Sequence, residues 1–314
     1  MKAAVVSSFG TPPRYEDFAE PVASNASELI VDVVAAGLHP RVRSQAAGSH
    51  YTSTDELPLV PGIDGVGRDK EGHLRYFILP DTTLGSMAER TVLDVRRSVV
   101  LEDNVDPIAI AAAMNPAMSS WVALRRRIDF QPGSRVLVLG ATGNAGRVAV
   151  QVARRLGASH VTGVGRDESK LALLADHGAD RAVSFSDAEA LGDAGKDVDV
   201  VLDYVWGQPT VDALYAIVPN RDDDSQRLTW IQIGSMGGLE ASIPSAALRA
   251  TRLELVGSGQ GSVSPRDILV ELPELAREIT NGTFNVDATT MPLSDVGEAW
   301  TQAAHTEKRI VLIP

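Results

Sequence analysis

The sequence predicts an α/β protein in which a mostly-β domain is joined to a doubly wound parallel sheet. Three observations carry that expectation. The opening segments KAAVV, ELIVDVVAAG, GIDGVGR, HLRYFIL and AERTVLD are short, strand-like and broken by turn signals such as DKEG. From RVLVLG to LELVGS, six strand-like segments follow, mostly separated by helical ones, as in an open sheet with helices on both faces. Between the first of those strands and its helix lie three glycines, Gly140, Gly143 and Gly146.

Each element has its own local reason. From Asp106 the pattern becomes helical, PIAIAAAMNPAMSSWVALRRRI, and it ends in the turn QPGS that launches RVLVLG. A helix over about 145–156 places Val148, Val152, Ala153 and Leu156 on one face, with Gly157 at its C-terminal cap. HVTGVG, the helix SKLALLADHG, AVSF, VDVVLDYV, a helix opened by Pro209, LTWIQIGS, the short helix SAALRATR and LELVGS complete the series. Ser264 caps a further helix with Pro265 at its first position and an expected kink at Pro273. A strand near ATTMPL, a helix capped by Ser294 and the strand RIVLIP then return to the first domain. The expected domains are 1–118 completed by 264–314, and 119–263. A chain of 314 residues, 44% hydrophobic, has room for both.

Composition excludes several functions. The formal net charge of -12 gives no general attraction to phosphate backbones or anionic lipid, so no nucleic-acid partner and no membrane are expected. No apolar run is expected to span a membrane and no signal peptide is evident, which points to the cytoplasm. With no cysteine there are no disulfides, thiolate nucleophiles or Cys-ligated metals.

The glycine triplet permits a tight turn, close approach of the backbone to a pyrophosphate, and close packing of helix on strand. Gly140, Ala141, Gly143, Asn144, Ala145 and Gly146 are therefore candidate cofactor residues. NAD sites usually place an acid at the end of the second strand, but here Gly165 is followed by Arg166, with Lys170 a helical turn on. An arginine fork suits a 2′-phosphate, so NADPH is the expected cofactor, and Asp167 stands where a helix N-cap belongs. Gly234, Ser235, Gly259 and Gln260 follow the fifth and sixth strands, at the edge where such sheets bind ligands.

GATGNAG also resembles the loop of extended short-chain dehydrogenases. That family places the loop near the chain start and uses Tyr-x-x-x-Lys, which no tyrosine here provides. The segments AAGLHP, LPLVPGIDGVGR, GSMAERTVLD, PAMSSWVALRRRIDFQPGSRVLVLGATGNAG, VDVVLDYV and MPLSDVGEAW instead resemble the medium-chain dehydrogenase/reductase superfamily, in its zinc-free quinone oxidoreductase-like branch. The resemblance implies a GroES-like catalytic domain, a Rossmann NADP-binding domain, a cofactor between them and commonly a homodimer. It also implies reduction of a quinone or an α,β-unsaturated carbonyl, acceptors that stabilise incoming negative charge by conjugation.

In zinc-dependent members three chain segments converge on the metal, and the matching slots here hold His39, Ile63 and Asn115. Ile63 cannot ligate, so no metal is expected, and His39 and Asn115 should approach each other as a polar notch. His39 would then donate a hydrogen bond to the acceptor oxygen, or be merely structural. Asn115 would bond substrate or nicotinamide, or cap a helix starting at Pro116. Tyr51 matches a position facing the nicotinamide and Ser119 a hydroxyl near the cofactor, whereas Tyr76 reads as packing. Two alternatives stay open. One is an enoyl-thioester reductase, hinted at by Arg41, Arg43, Arg125, Arg126 and Arg127. The other is a non-catalytic NADPH-binding redox sensor on the same fold.

Overall fold

The computed structural model covers residues 1–314 and describes all of them except Tyr51 and Asp81. It divides into two compact units, one of Met1–Asn115, Leu269–Gly282 and Val286–Pro314, the other of Pro116–Ile268 and Thr283–Asn285.

In the first unit, β1 (Lys2–Val5) and β2 (Arg14–Asp17) form an antiparallel pair. The eleven residues of β3 (Glu28–Leu38) lead into a short helix, α1 (Pro40–Ala46), whose first residue is a proline with its φ already helical. Then come β4 (Asp64–Arg68), β5 (Leu74–Ile78), β6 (Arg90–Asp94) and β7 (Ser98–Val100). β3 is the spine of this sheet, antiparallel to both β4 and β6. Its inward side chains meet Val42 of α1, Leu59, Ile63 and Met87 in one apolar cluster.

α2 (Pro107–Val122) follows and widens into a π-helical turn over Ala123–Arg127. Pro116 lies inside α2, so no helix starts there and Asn115 is not a cap. A proline removes only one backbone donor, and here the buried Ala112, Met114, Ala117 and Trp121 hold the helix together around it. The 21 residues Pro107–Arg127 are long and apolar enough to cross a membrane by length and composition, contrary to the expectation from sequence. Two thirds of that apolar stretch (67%) is buried inside the protein, as in a core helix.

The second unit alternates strand and helix: β8 (Arg135–Leu139), α3 (Asn144–Arg155), β9 (His160–Gly165), α4 (Glu168–Leu171), β10 (Arg181–Ser184), α5 (Ala188–Gly195), β11 (Val200–Asp203), α6 (Gly207–Ile217), β12 (Leu228–Gln232), α7 (Ala247–Ala250) and β13 (Leu253–Gly257). All five pairings are parallel and the spatial order is β10-β9-β8-β11-β12-β13. The winding direction reverses between β8 and β11, which opens a crevice at their carboxyl ends. Val136, Leu137, Val138 and Leu139 are all fully buried, because helices cover both faces of the sheet.

α8 (Pro265–Thr280) opens on the expected Ser264 cap, whose Oγ accepts from Asp267 N at 3.1 Å, and runs on through Pro273. β14 (Ala288–Pro292) and β15 (Arg309–Ile313) extend the first sheet, β15 lying antiparallel to β3. Between them, α9 (Val296–Gln302) is preceded by a 3-10 turn, Leu293–Asp295, so Ser294 sits within that turn instead of capping the helix.

Candidate functional site

Two arrangements carry chemistry, one in each unit. In the second unit the loop after β8 is pinned to the neighbouring strand, with Gly140 N and Ala141 N both donating to Val164 O at 2.9 Å. Gly140 has φ +83, a conformation costly to any residue with a Cβ. A Cβ on Gly146 would run into the Gly140 carbonyl, so the third glycine is what lets α3 start directly against the strand end. At Gly143 a Cβ would meet only Gly140 O, at 3.4 Å, and the residue is exposed. No side chain caps α3 at Gly143, so the first-turn N–H groups of Asn144, Ala145 and Gly146 are donors that could hold an anion, favoured by the helix dipole.

Gly165, at the end of β9, is set by the same loop, because a Cβ there would collide with Thr142 Cγ2 at 2.5 Å. Arg166 follows and is exposed, with no ion-pair or hydrogen-bond partner among the described residues. Asp167 is the N-cap of α4, accepting from Ser169 N at 3.0 Å and Lys170 N at 3.3 Å. The Ser169 hydroxyl and the Lys170 N–H hold its carboxyl below the ordinary value, and Lys170 Nζ lies 3.8 Å from it. The acid next to Arg166 in sequence is thus committed to the helix.

The loop after β12 packs on the loop after β11. Gly234 donates to Asp203 O at 3.1 Å, and a Cβ on Gly234 would lie 2.7 Å from Tyr204 O. Ser235 and Gly259 are exposed and Gln260 is half-buried, at the carboxyl ends of β12 and β13. Ser119 Oγ donates to Pro116 O at 2.7 Å and shares a 2.9 Å hydrogen bond with Tyr204 OH. Burial pushes that phenol up to about 12. Sequence reasoning missed both Tyr204 and Asp203. The Asp203 carboxylate is fully buried and accepts from Val205 N, Trp206 N, Thr210 Oγ1 and Trp230 Nε1 at 2.6–2.9 Å, which fixes the turn after β11.

In the first unit, His39, at the N-cap of α1, points its Nε2 at Asp64 Oδ1, 2.9 Å away. Tyr76 OH donates to the other oxygen of Asp64 at 2.7 Å, and Ser86 Oγ donates to the Asp64 carbonyl at 2.6 Å. All four residues are buried, as is Arg309, which donates to Leu38 O at 3.2 Å. Burial brings the Arg309 guanidinium down to about 10, opposed by the attraction of Asp64. Burial also lowers the His39 imidazole, against the opposing pull of its hydrogen bond to Asp64. A neutral imidazole against a carboxylate carries its proton on Nε2 and leaves Nδ1 only a lone pair. The single N–H of His39 is therefore donated to Asp64, and Nδ1 is left to accept. Tyr76 packs as expected, yet it also completes this polar cluster.

Ile63 is buried and apolar, and Asn115 is half-buried within α2. Among the described residues no hydrogen bond joins Asn115 to His39. Tyr51 lies outside the described residues.

Comparison with known proteins extends this picture. A family described as zinc-binding dehydrogenases matches residues 145–272. A probable NADPH-dependent quinone reductase of Emericella nidulans is 31% identical over 361 aligned positions, spanning 100% of both chains. The chloroplastic NADPH-dependent alkenal/one oxidoreductase of Arabidopsis thaliana is 30% identical over 195 positions, 57% of this chain and 50% of that protein. The solved quinone oxidoreductase of Thermus thermophilus, also described in complex with NADPH, shares the fold with a TM-score of 0.79 at 24% identity over 100% of both chains.

The residues do not fit the zinc in the family's description. Among the described residues no group of three or more His, Cys, Asp or Glu side chains could hold a metal ion, and Ile63, buried and apolar, has no atom that could ligate one. With its parallel six-stranded sheet, its mixed β sheet and a relative alignable from end to end, the chain belongs to the medium-chain dehydrogenase/reductase superfamily of oxidoreductases, in its quinone oxidoreductase-like branch.

Proposed function

We propose that this chain reduces a quinone or an α,β-unsaturated carbonyl with NADPH, by hydride transfer and without zinc. The observation that carries the reading is the uncapped start of α3 beside an exposed Arg166 whose neighbouring acid is occupied as a cap. Two relatives support it, one named a probable NADPH-dependent quinone reductase and one an NADPH-dependent alkenal/one oxidoreductase. When bound, the dinucleotide supplies the hydride. The N–H groups of Asn144, Ala145 and Gly146 bind its pyrophosphate. Arg166 would hold its 2′-phosphate, with Lys170 adding positive charge, and Gly234, Ser235, Gly259 and Gln260 would serve its other half.

A conjugated acceptor spreads the incoming charge over its own π system, so it does without the Lewis acid that a simple alcohol or ketone needs. Two of the basic residues that hinted at a thioester carrier are engaged within the protein: Arg125 lies 5.0 Å from the centre of the Trp121 ring, and Arg127 donates to Gly257 O at 2.7 Å.

The test is NADPH oxidation with a panel of quinones, enones and enoyl-thioesters, with and without chelator. Turnover of a quinone or enone, unchanged by chelator, is expected. Activity confined to enoyl-thioesters, or NADPH binding without any turnover, would overturn the reading.

A further inference from the structure

Trp206 is the only non-glycine residue with positive φ among the described residues. Its φ of 52 and ψ of -168 fall in a region that essentially only glycine occupies. Three contacts hold it there. Trp206 N and Val205 N both donate to Asp203 Oδ1 at 2.9 Å, and Gly237 N donates to Val205 O at 2.6 Å. The next residue, Gly207, also has positive φ, and a Cβ on it would lie 2.6 Å from Gly237 O, so the strain cannot be passed along the chain.

This turn lies on the crevice where the sheet reverses direction. A Cβ on Gly140 would meet Val205 Cγ1 at 3.0 Å and Tyr204 Cβ at 3.4 Å, so the turn after β11 stands directly against the glycine loop after β8. Trp121, Trp230 and Trp300 are at most 8% exposed, whereas Trp206 is half-buried. The loop that clamps it carries Met236 and Leu239, 77% and 82% exposed, which makes an apolar lip at the same edge. A glycine would sit in this turn unstrained. The chain instead keeps its largest aromatic side chain there, and strain of that kind persists where the residue serves a ligand.

We propose that Trp206 is a specificity-determining residue of the dinucleotide site, offering its indole as a flat surface for one ring of the bound nucleotide. The inference rests on the dinucleotide reading given above. Stacking on an aromatic side chain selects for a planar ring without demanding particular hydrogen bonds.

The experiment compares wild type with Trp206→Phe, Trp206→Ala and Trp206→Gly. Calorimetric titration uses NADPH, reduced nicotinamide mononucleotide and adenosine 2′,5′-bisphosphate. Trp206→Ala and Trp206→Gly should weaken NADPH about tenfold, and Trp206→Phe should stay within about threefold. The same loss should appear with one half-ligand, which identifies the stacked ring as nicotinamide or adenine. Thermal melting reads the strain separately: Trp206→Gly should melt about 2–4 °C above Trp206→Ala, since both lack the indole but only alanine retains the strain. Equal affinity of wild type and Trp206→Ala for NADPH overturns the inference, as does a glycine variant that melts at or below the alanine one. Wild-type protein that binds no NADPH overturns the dinucleotide reading itself, and the inference with it.

Discussion

His39 and Asp64 meet through a 2.9 Å hydrogen bond between side chains that are 3% and 2% exposed, which makes the carboxylate the hub of the first unit's polar interior. The same group accepts from Tyr76 and balances the buried charge of Arg309. Asp64→Asn leaves that cation uncompensated and replaces an acceptor by a donor. It should destabilise the protein by about 3–5 kcal/mol, read as a lower midpoint in urea denaturation.

His39 gives the protein a dependence on pH with a definite sign. Its pKa in the folded state lies below the ordinary 6.5, chiefly because burial disfavours the imidazolium. Between that lowered value and 6.5 the unfolded chain binds a proton that the folded one does not, so stability is fully present above 6.5 and falls as the solution is acidified. His160 is shifted the same way, again mainly by burial. Denaturation midpoints at about pH 7 and about pH 5.5 should therefore differ less in His39→Gln than in wild type. An unchanged slope would mean that His39 titrates alike in both states.

Arg166→Ala should weaken NADPH by about 10–100-fold, the worth of a charge-assisted contact to a phosphate, and leave NADH nearly untouched. Parallel fluorescence titrations with the two cofactors check this. Wild-type protein that binds NADH as tightly as NADPH would count against the assignment.

Two glycines of one loop should respond differently to the same substitution. Gly146→Ala forces the start of α3 off the strand end and should lower stability by about 1–3 kcal/mol. Gly143→Ala meets only a 3.4 Å contact and should melt like wild type, while its methyl group narrows the anion site and weakens NADPH. Melting curves and cofactor titration on both variants separate fold from binding.

β13 is the edge strand of the six-stranded sheet, paired only with β12. Apart from Gly257 O, which Arg127 holds, the outer side of this strand could pair with a second copy related by a two-fold axis. Light scattering at dilute concentration should report about twice the chain mass of 33.3 kDa.

The sequence showed most clearly what depends on neighbours. The parallel strands could be read because each is a continuous apolar run bounded by turn residues, and Asp167 could be read as a cap because it stands just before its helix. The His39–Asp64–Tyr76 cluster could not, since it exists only when the registers of β3, β4 and β5 bring positions 39, 64 and 76 together. One signal was available: Asp64 is a lone charge in the apolar stretch PGIDGVG, and a buried acid needs partners. Pro116 misled for the opposite reason, because a local helix breaker was overruled by the packing on either side of it. The backbone of Trp206 gave no sign at all, as tryptophan before glycine carries no preference for positive φ.

The pairing of β15 with β3 bears on how the chain is made. Arg309 reaches the carbonyl of Leu38 across 271 positions of sequence. While the polypeptide emerges from the ribosome, β3 waits for this neighbour until the whole second unit has been synthesised. The second unit, whose main segment Pro116–Ile268 is uninterrupted, has all its sheet partners long before that. Synthesis from the N-terminus usually lets the leading domain fold first. Here the second unit can complete its sheet while β3, already paired with β4 and β6, still lacks β15.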